Sequence, residues 1–144
     1  MKKMNNKGFS LVELIVVIAI MAVLIGVLAP QFLKYVEKSR QSTDVQNVQE
    51  IKSAIEVYVA DTGSDANCTI TIKGGDGGTA EVPSTIIGTD KIEGIKDKTN
   101  LKSKTWPASI KFIYSASTGW KVDGGATTFK NTAKPELDMV DVFK

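Results

Sequence analysis

Gly8-Phe9-Ser10-Leu11-Val12-Glu13 begins an apolar run that continues to Pro30. Between Phe9 and Pro30 the only polar side chains are those of Ser10 and Glu13. A helix of about 22 residues is roughly 33 Å long, which matches the thickness of the hydrocarbon core of a bilayer. A buried core helix is the alternative, but the rest of this chain could hardly surround a helix that is apolar on every side. The run therefore predicts a membrane segment, or a segment in the core of a much larger assembly.

A short basic leader precedes the run and contains Lys2, Lys3 and Lys7. A secretory signal places its apolar stretch before the cleavage site and loses it, whereas a cut after Gly8 leaves the apolar stretch on the mature chain. Without the leader, 15 of the 18 basic side chains remain against 16 acidic ones, so the formal charge falls from +2 to −1. This balance does not indicate a general binder of polyanions. The basic residues on either side of the span are equal in number, so the charges alone do not orient it.

The junction Gly8-Phe9-Ser10-Leu11-Val12-Glu13 resembles the processing motif of type IV pilins and their relatives. The resemblance covers Lys7 to about Ala60, is strongest at the junction, and indicates a type IVa-like major pilin precursor from a Gram-positive bacterium such as a clostridium. It implies that prepilin peptidase removes residues 1–8 by cutting between Gly8 and Phe9, and then N-methylates Phe9. It also implies that the leader is cytoplasmic and the body lies outside the membrane.

The cysteine and histidine content limits the chemistry of the chain. Cys68 is the only cysteine, so an internal disulfide is excluded, although many pilins have one in the C-terminal region. The chain has no histidine, which excludes His-based catalytic triads and zinc sites. We therefore expect no catalytic residues, no metal site, no cofactor and no enzymatic activity.

Beyond Pro30 the apolar pattern becomes periodic. Apolar residues recur at steps of three and four, which marks one face of an amphipathic helix; they are Val45, Val48, Ile51, Ile55 and Tyr58. Asp61-Thr62-Gly63-Ser64 supplies a stop, with Gly63 suited to the left-handed position after a helix. The sequence predicts one helix from about Phe9 to Ala60, half of it apolar all round and half forming one wall of a globular head.

Gly26 and Pro30 are the predicted weak points of this helix. Proline has no N–H, so the carbonyl of Gly26 loses its helical partner, and glycine itself is a weak helix former. A harmless bend is one interpretation. The resemblance to pilins favours the other, in which this stretch kinks or melts on assembly.

The remainder of the chain is expected to form strands, which gives an α+β fold. Alternating patterns predict strands at 69–73, 110–114 and 120–122, and Asp123-Gly124-Gly125 predicts a hairpin leading to a strand at 127–130. The expected organisation is a leader at 1–8, a filament-core helix at 9–30 and a globular pilin head at 31–144. Within the head we expect the helix to about residue 60, a loop at 61–109 interrupted by the first strand, and the sheet and tail at 110–144. The tail from Pro135 is apolar and is compatible with a helix turn or an edge strand.

Glu13 is the candidate for assembly. A carboxylate in an apolar zone needs a partner, and cleavage after Gly8 would create one in the free amine of Phe9. Within one chain Glu13 lies about 6 Å along the helix axis from Phe9, so we expect a poor contact there. Between neighbouring subunits the pair could fix the axial register of a bundle. The alternative is that Glu13 complements the dipole at the helix N-terminus.

Two weaker candidates involve other partners. Gly74-Gly75-Asp76-Gly77-Gly78 lacks the Lys-Ser/Thr of a phosphate loop, so a flexible loop is expected. Six lysines lie between Lys91 and Lys111 and could hold nucleic acid, although a solvated loop is the simpler interpretation.

The expected function is that of a structural subunit of a type IV pilus. By the resemblance, its partners are copies of itself, minor pilins, prepilin peptidase, an assembly platform with its ATPase, and the cytoplasmic membrane before extraction to the cell surface. Adhesion, aggregation, twitching motility and DNA uptake are not separated by the sequence. A minor pilin or a pseudopilin of a secretion or competence system is the alternative, and a tethered domain that never polymerises is a third.

Overall fold

The computed structural model describes residues 8–63, 68–82, 95, 98–107, 109–123, 130–131 and 134–143. The chain forms two compact units, Met1–Glu37 and Lys38–Lys144. The first unit contains the N-terminal part of a long helix, and the second contains the rest of that helix and the strands.

Helix α1 runs from Leu11 to Thr62 and includes Pro30 without an interruption. It ends where the sequence predicts, because Gly63 adopts a left-handed φ of 60° that favours glycine. The N–H of Gly63 donates to the carbonyl oxygen of Val59 at 3.0 Å, which closes the last turn. The predicted helix and its stop are confirmed.

The strands form two antiparallel sheets. The first has the order β2-β1-β3-β4 and contains β1 (Cys68–Lys73), β2 (Thr79–Glu81), β3 (Ile110–Ser115) and β4 (Gly119–Asp123). The second pairs β5 (Lys130–Asn131) with β6 (Lys134–Asp138), and a 3₁₀ helix (Met139–Phe143) follows. One long helix with a four-stranded antiparallel sheet confirms the predicted α+β class.

Most predicted strands are confirmed, with two corrections. Lys130, the last residue of the strand predicted at 127–130, pairs with Asp138 in the second sheet instead of extending the first. The rest of that hairpin, including Phe129, lies outside the described residues. The expected loop at 61–109 also contains β2, which is too short to show an alternating pattern. The tail takes both forms left open by the sequence, a strand and then a helical turn.

The core of the head lies between α1 and the first sheet. Three residues of the predicted helical stripe, Val48, Ile51 and Ile55, are completely buried. The stripe ends at Val59, which is buried, while Tyr58 is half-buried at the margin. The sheet contributes alternate residues to this core, namely Ile70, Ile72, Ile110 and Phe112.

The C-terminal 3₁₀ helix completes this core. The ring of Phe143 stacks on Phe112 with centroids 3.8 Å apart and meets Trp120 edge-on at 4.9 Å. The ammonium of Lys52 on α1 donates to the carbonyl oxygen of Val142 at 2.9 Å. Since the single cysteine excludes an internal disulfide, these contacts tie the C-terminal region to the head.

A buried carboxylate ties a long connection to the helix. Asp44 is completely buried on α1 and accepts hydrogen bonds from the backbone N–H groups of Lys102 (2.7 Å) and Ser103 (2.9 Å). It also accepts a bond from Nε1 of Trp106 at 3.0 Å, and Trp106 itself is buried. One turn earlier, Nε2 of Gln41 donates to the hydroxyl of Thr105 at 2.6 Å. We refer to Asp44 and the donors of 102–106 as the Asp44 clasp.

Phe143→Ala should lower the free energy of unfolding by about 3 kcal/mol or more, because truncation of a buried ring leaves a cavity. Urea titration of the full chain in detergent, followed by tryptophan fluorescence, measures this change. Val57→Ala is the control, since Val57 is 68% exposed and its truncation should change stability by about 0.5 kcal/mol or less. Equal effects of the two substitutions would show that the 3₁₀ helix does not stabilise the head.

Asp44→Ala should also destabilise the head by about 3 kcal/mol, because it leaves buried donors unpaired. Asp44→Asn should lose less stability, since the one carbonyl oxygen of its amide can still accept hydrogen bonds from some donors of the Asp44 clasp. Asp76→Asn, which alters an exposed carboxylate paired with Lys104, should have little effect. The same urea titration ranks the three variants, and an Asp44→Ala protein as stable as the Asp76→Asn control would contradict the clasp.

Candidate processing and assembly site

The predicted processing junction precedes the helix. Gly8, Phe9 and Ser10 are exposed and lie outside α1, which begins at Leu11. Phe9 is 92% exposed, and among the described residues no atom apart from those of the chain neighbours lies within 4 Å of the position of a Cβ on Gly8. The peptide bond between Gly8 and Phe9 is therefore accessible and free of helical hydrogen bonds, as a peptidase requires. Residues 1–7 of the predicted leader lie outside the described residues.

Glu13 folds back onto the start of its own helix. One oxygen of its carboxylate accepts a hydrogen bond from the backbone N–H of Ser10 at 2.9 Å. The carbonyl oxygen of Ser10 accepts the first helical bond, from the N–H of Leu14 at 3.3 Å. Ser10 is thus the N-cap and Glu13 the third helical residue, which is one half of a capping box. The spacing Ser-x-x-Glu is the local signal for this contact, which was not among the predictions from the sequence.

The contact that Glu13 makes within the chain is the one with Ser10, the residue directly after Phe9. A carboxylate held there also complements the positive end of the helix dipole, which is the alternative that the sequence leaves open. The expected poor contact with a free amine of Phe9 in the same chain, and a partner in a second subunit, both stay predictions.

The apolar part of α1 has no cover within the described structure. Each large apolar side chain from Leu11 to Leu33 is at least 49% exposed. The helix contains a segment that is long and apolar enough to cross a membrane, and none of that segment is buried. Among the described residues, this exposure favours a membrane or assembly segment over a buried core helix for Phe9–Pro30.

Gly26 and Pro30 both lie within continuous helix. Among the described residues, no atom outside the local helix backbone lies within 4 Å of the position of a Cβ on Gly26. No packing contact in the described part of the chain therefore requires glycine there, and the flexibility of this stretch stays a prediction.

The lysine-rich segment is less basic in the fold than in the sequence. Three of its six lysines pair with acidic residues from elsewhere in the head: Lys98 with Glu50, Lys104 with Asp76, and Lys111 with Asp123. Lys91 and Lys96 lie outside the described residues. Since acidic residues on α1, the glycine loop and β4 offset these charges, the described part of the segment does not form a basic patch for nucleic acid.

The glycine-rich segment forms a turn whose first residue packs against the backbone of Trp106 and Pro107. A Cβ on Gly74 would collide with the backbone carbonyls of these two residues. Gly75 and Gly77 adopt positive φ angles of 98° and 75°. Close backbone contact and turn geometry therefore require glycine here, and the flexibility expected for this loop stays a prediction.

Cys68 is not placed for chemistry. It is the first residue of β1 and is 1% exposed. Burial raises the pKa of its thiol, which keeps the sulfur protonated and poorly nucleophilic. The described residues contain no group of three or more carboxylate or thiol ligands that could hold a metal ion.

Comparison with known proteins gives a family model and several similar proteins. Residues 3–29 match the prokaryotic N-terminal methylation motif. The type IV major fimbrial protein FimA of Dichelobacter nodosus is 34% identical over 68 residues, which are 47% of this chain and 44% of FimA. Prepilin peptidase-dependent protein A of Clostridium perfringens is 37% identical over 68 residues, which are 46% of this chain and 49% of that protein. The matches thus span about half the length of these relatives.

A third relative matches along nearly the whole chain. Prepilin peptidase-dependent protein D of Escherichia coli is 26% identical over 147 residues, covering 97% of this chain and 95% of its own length. No solved structure matches the chain significantly.

A long N-terminal helix combined with an antiparallel sheet defines a pilin-like architecture. The methylation motif at residues 3–29 and the relative named as a major fimbrial protein make the chain similar to type IV pilins. The predicted resemblance to type IV pilins is confirmed.

Proposed function

We propose that this chain is the precursor of a structural subunit of a type IV pilus. Prepilin peptidase removes residues 1–8, and an assembly platform with its ATPase then extracts the mature chain from the cytoplasmic membrane. The subunits polymerise with copies of themselves and with minor pilins into a filament on the cell surface. The filament serves adhesion, aggregation or twitching motility.

The observation that carries this proposal is the exposed apolar half of α1. Side chains that are at least 49% exposed between Leu11 and Leu33 need an apolar environment that the subunit does not supply. A bilayer supplies it before assembly, and equally apolar helices of other subunits supply it in a filament. Extraction is feasible because one apolar contact replaces another.

The junction supports processing. Gly8 and Phe9 are exposed, non-helical and within the matched methylation motif. We assign the cut to the bond between them and N-methylation to the new amine of Phe9. Methylation keeps this amine cationic, so it remains a partner for a carboxylate.

Glu13 is the proposed register residue. A carboxylate in the apolar zone costs about 1–3 kcal/mol unless it is partnered. The N–H of Ser10 provides one hydrogen bond, and an ionised carboxylate can accept several more. The capping contact thus holds Glu13 in a defined position, and its remaining capacity and charge can bind the Phe9 amine of a neighbouring subunit. Such a pair fixes the axial register of the packed helices.

Gly26 and Pro30 are the proposed flexible stretch of the filament core. Pro30 offers no N–H to the carbonyl of Gly26, and no contact within the described chain holds Gly26 in place. A local change of helix geometry there costs less than elsewhere in the span.

The role proposed is structural, not enzymatic, in keeping with the relative named as a major fimbrial protein. A minor pilin or pseudopilin is the second candidate. It is supported by the relative that matches nearly the whole chain, whose name specifies dependence on prepilin peptidase and not a filament.

N-terminal peptide mass spectrometry on material sheared from native cells tests processing and assembly together. We expect an abundant chain that begins at methylated Phe9. Processed protein confined to the membrane fraction would favour the second candidate. An uncut chain beginning at Met1 would contradict the assigned junction. Gly8→Val is the matched variant, because a bulky residue before the cut should leave uncut precursor in the membrane.

Substitutions of Glu13 separate its charge from its capping contact. Glu13→Val should insert into the membrane but give little or no filament, because it removes both. Glu13→Gln keeps an acceptor for the N–H of Ser10 and loses only the charge. If the charge sets the register, both variants fail to assemble, and the yield of sheared filament measures this.

Ser10→Ala is the control for this pair of variants. It removes the serine hydroxyl but keeps the backbone N–H that Glu13 binds, so filaments should form. Normal filaments from Glu13→Gln would contradict the proposed charge pairing and leave helix capping as the role of Glu13.

A further inference from the structure

The apolar exposure of α1 continues past Pro30. Phe32, Leu33 and Tyr35 are 65%, 67% and 69% exposed, values as high as those within the span itself. Lys34 lies between them, and among the described residues no carboxylate forms an ion pair with it. We refer to these four residues, Phe32–Tyr35, as the collar.

The position of the collar along the helix matches the boundary of a bilayer. The stretch from Leu11 to Pro30 is roughly 30 Å long, which is the thickness of the hydrocarbon core. The next five residues add about 7 Å, which reaches the level of the headgroups. The collar would therefore lie among lipid headgroups on the side of the head.

The composition of the collar suits that location. Tyrosine has an apolar ring and a polar hydroxyl and is enriched at the membrane–water interface. Lysine can bury its alkyl chain along apolar surface while its ammonium reaches the headgroups. An unpaired ammonium at this level is attracted by anionic phospholipids.

From these observations, and on the basis of the membrane-held precursor proposed above, we infer that the collar is a binding surface for anionic lipid headgroups. It fixes the depth of the chain in the membrane before assembly. Phe32, Leu33 and Tyr35 occupy the boundary between acyl chains and headgroups, and Lys34 binds lipid phosphate. The lipid-covered segment thus extends to Tyr35 and does not end at Pro30.

Labelling of single cysteines in the full chain tests the depth. All variants carry Cys68→Ser, so that each has a single thiol. Val17→Cys places it in the apolar span, Gln31→Cys places it just before the collar, and Ser39→Cys places it beyond the collar. The protein is reconstituted into lipid nanodiscs, which expose both membrane faces to a membrane-impermeant maleimide. We expect rapid labelling of Ser39→Cys and labelling of Gln31→Cys that is at least about tenfold slower.

The lipid charge is then varied. In nanodiscs containing phosphatidylglycerol, labelling of Gln31→Cys should be about fivefold slower than in phosphatidylcholine alone, because the attraction draws Lys34 towards the surface. Rates are normalised to Ser39→Cys in the same lipid, which removes the effect of surface charge on the probe. Lys34→Gln should abolish the dependence on lipid charge, and Lys34→Arg should retain it.

Each contrary result is informative. If Val17→Cys is protected but Gln31→Cys is labelled rapidly, the lipid-covered segment ends at Pro30. This result would overturn the proposal for the collar and leave the proposed membrane anchor intact. Labelling of Val17→Cys would overturn the collar together with the proposed membrane anchor. If the labelling rate of Gln31→Cys still depends on lipid charge after Lys34→Gln, the proposed contact between Lys34 and lipid phosphate would be overturned.

Discussion

The two parts of α1 have different surroundings, and most other features of this protein depend on this difference. Towards its N-terminus, α1 carries apolar side chains that are exposed in every direction. Towards its C-terminus, the same helix buries only a stripe, against a sheet. An all-round apolar surface has to be covered by something other than the subunit. This exposure supports the proposed membrane or filament environment for the N-terminal part of α1.

The head achieves its stability without a covalent link. The C-terminal 3₁₀ helix inserts Phe143 between Phe112 and Trp120, and the Asp44 clasp holds a long irregular connection against α1. A buried carboxylate is costly unless it is fully hydrogen-bonded, and the donors of the clasp meet that condition. Hydrophobic packing and one satisfied polar centre here take the place that a disulfide occupies in many pilins.

Glu13 illustrates how one side chain can serve a subunit and an assembly. Within the chain it caps the helix through the N–H of Ser10, which gives its carboxylate one hydrogen-bond partner. Because this contact uses one hydrogen bond, the carboxylate retains both charge and acceptor capacity for the amine proposed to arise at Phe9. A residue that is already positioned loses less conformational entropy when it binds a second partner. Capping its own helix and setting the axial register between subunits are therefore compatible roles for Glu13.

The amino-acid sequence by itself determined the local features of this protein. Continuous hydrophobicity defined the span, a period of three to four residues defined the helical stripe, and Gly63 marked the end of α1. Strands with clear alternation, such as 69–73 and 110–114, were also predictable, because side-chain direction alternates along any strand. The capping contact of Glu13 was readable from the spacing Ser-x-x-Glu.

Tertiary structure decided the features that depend on residues distant in sequence. Nothing near Asp44 indicates that its partners lie 58 to 62 residues away. The pairing of Lys98, Lys104 and Lys111 with acids elsewhere in the head offsets most of the positive charge in the described part of this segment. Pairing of Lys130 with β6, and close packing of Gly74 on Pro107, likewise depend on which backbones meet. The local sequence pattern determines which secondary structure a segment can form. Contacts between residues distant in sequence determine which other segments it packs against.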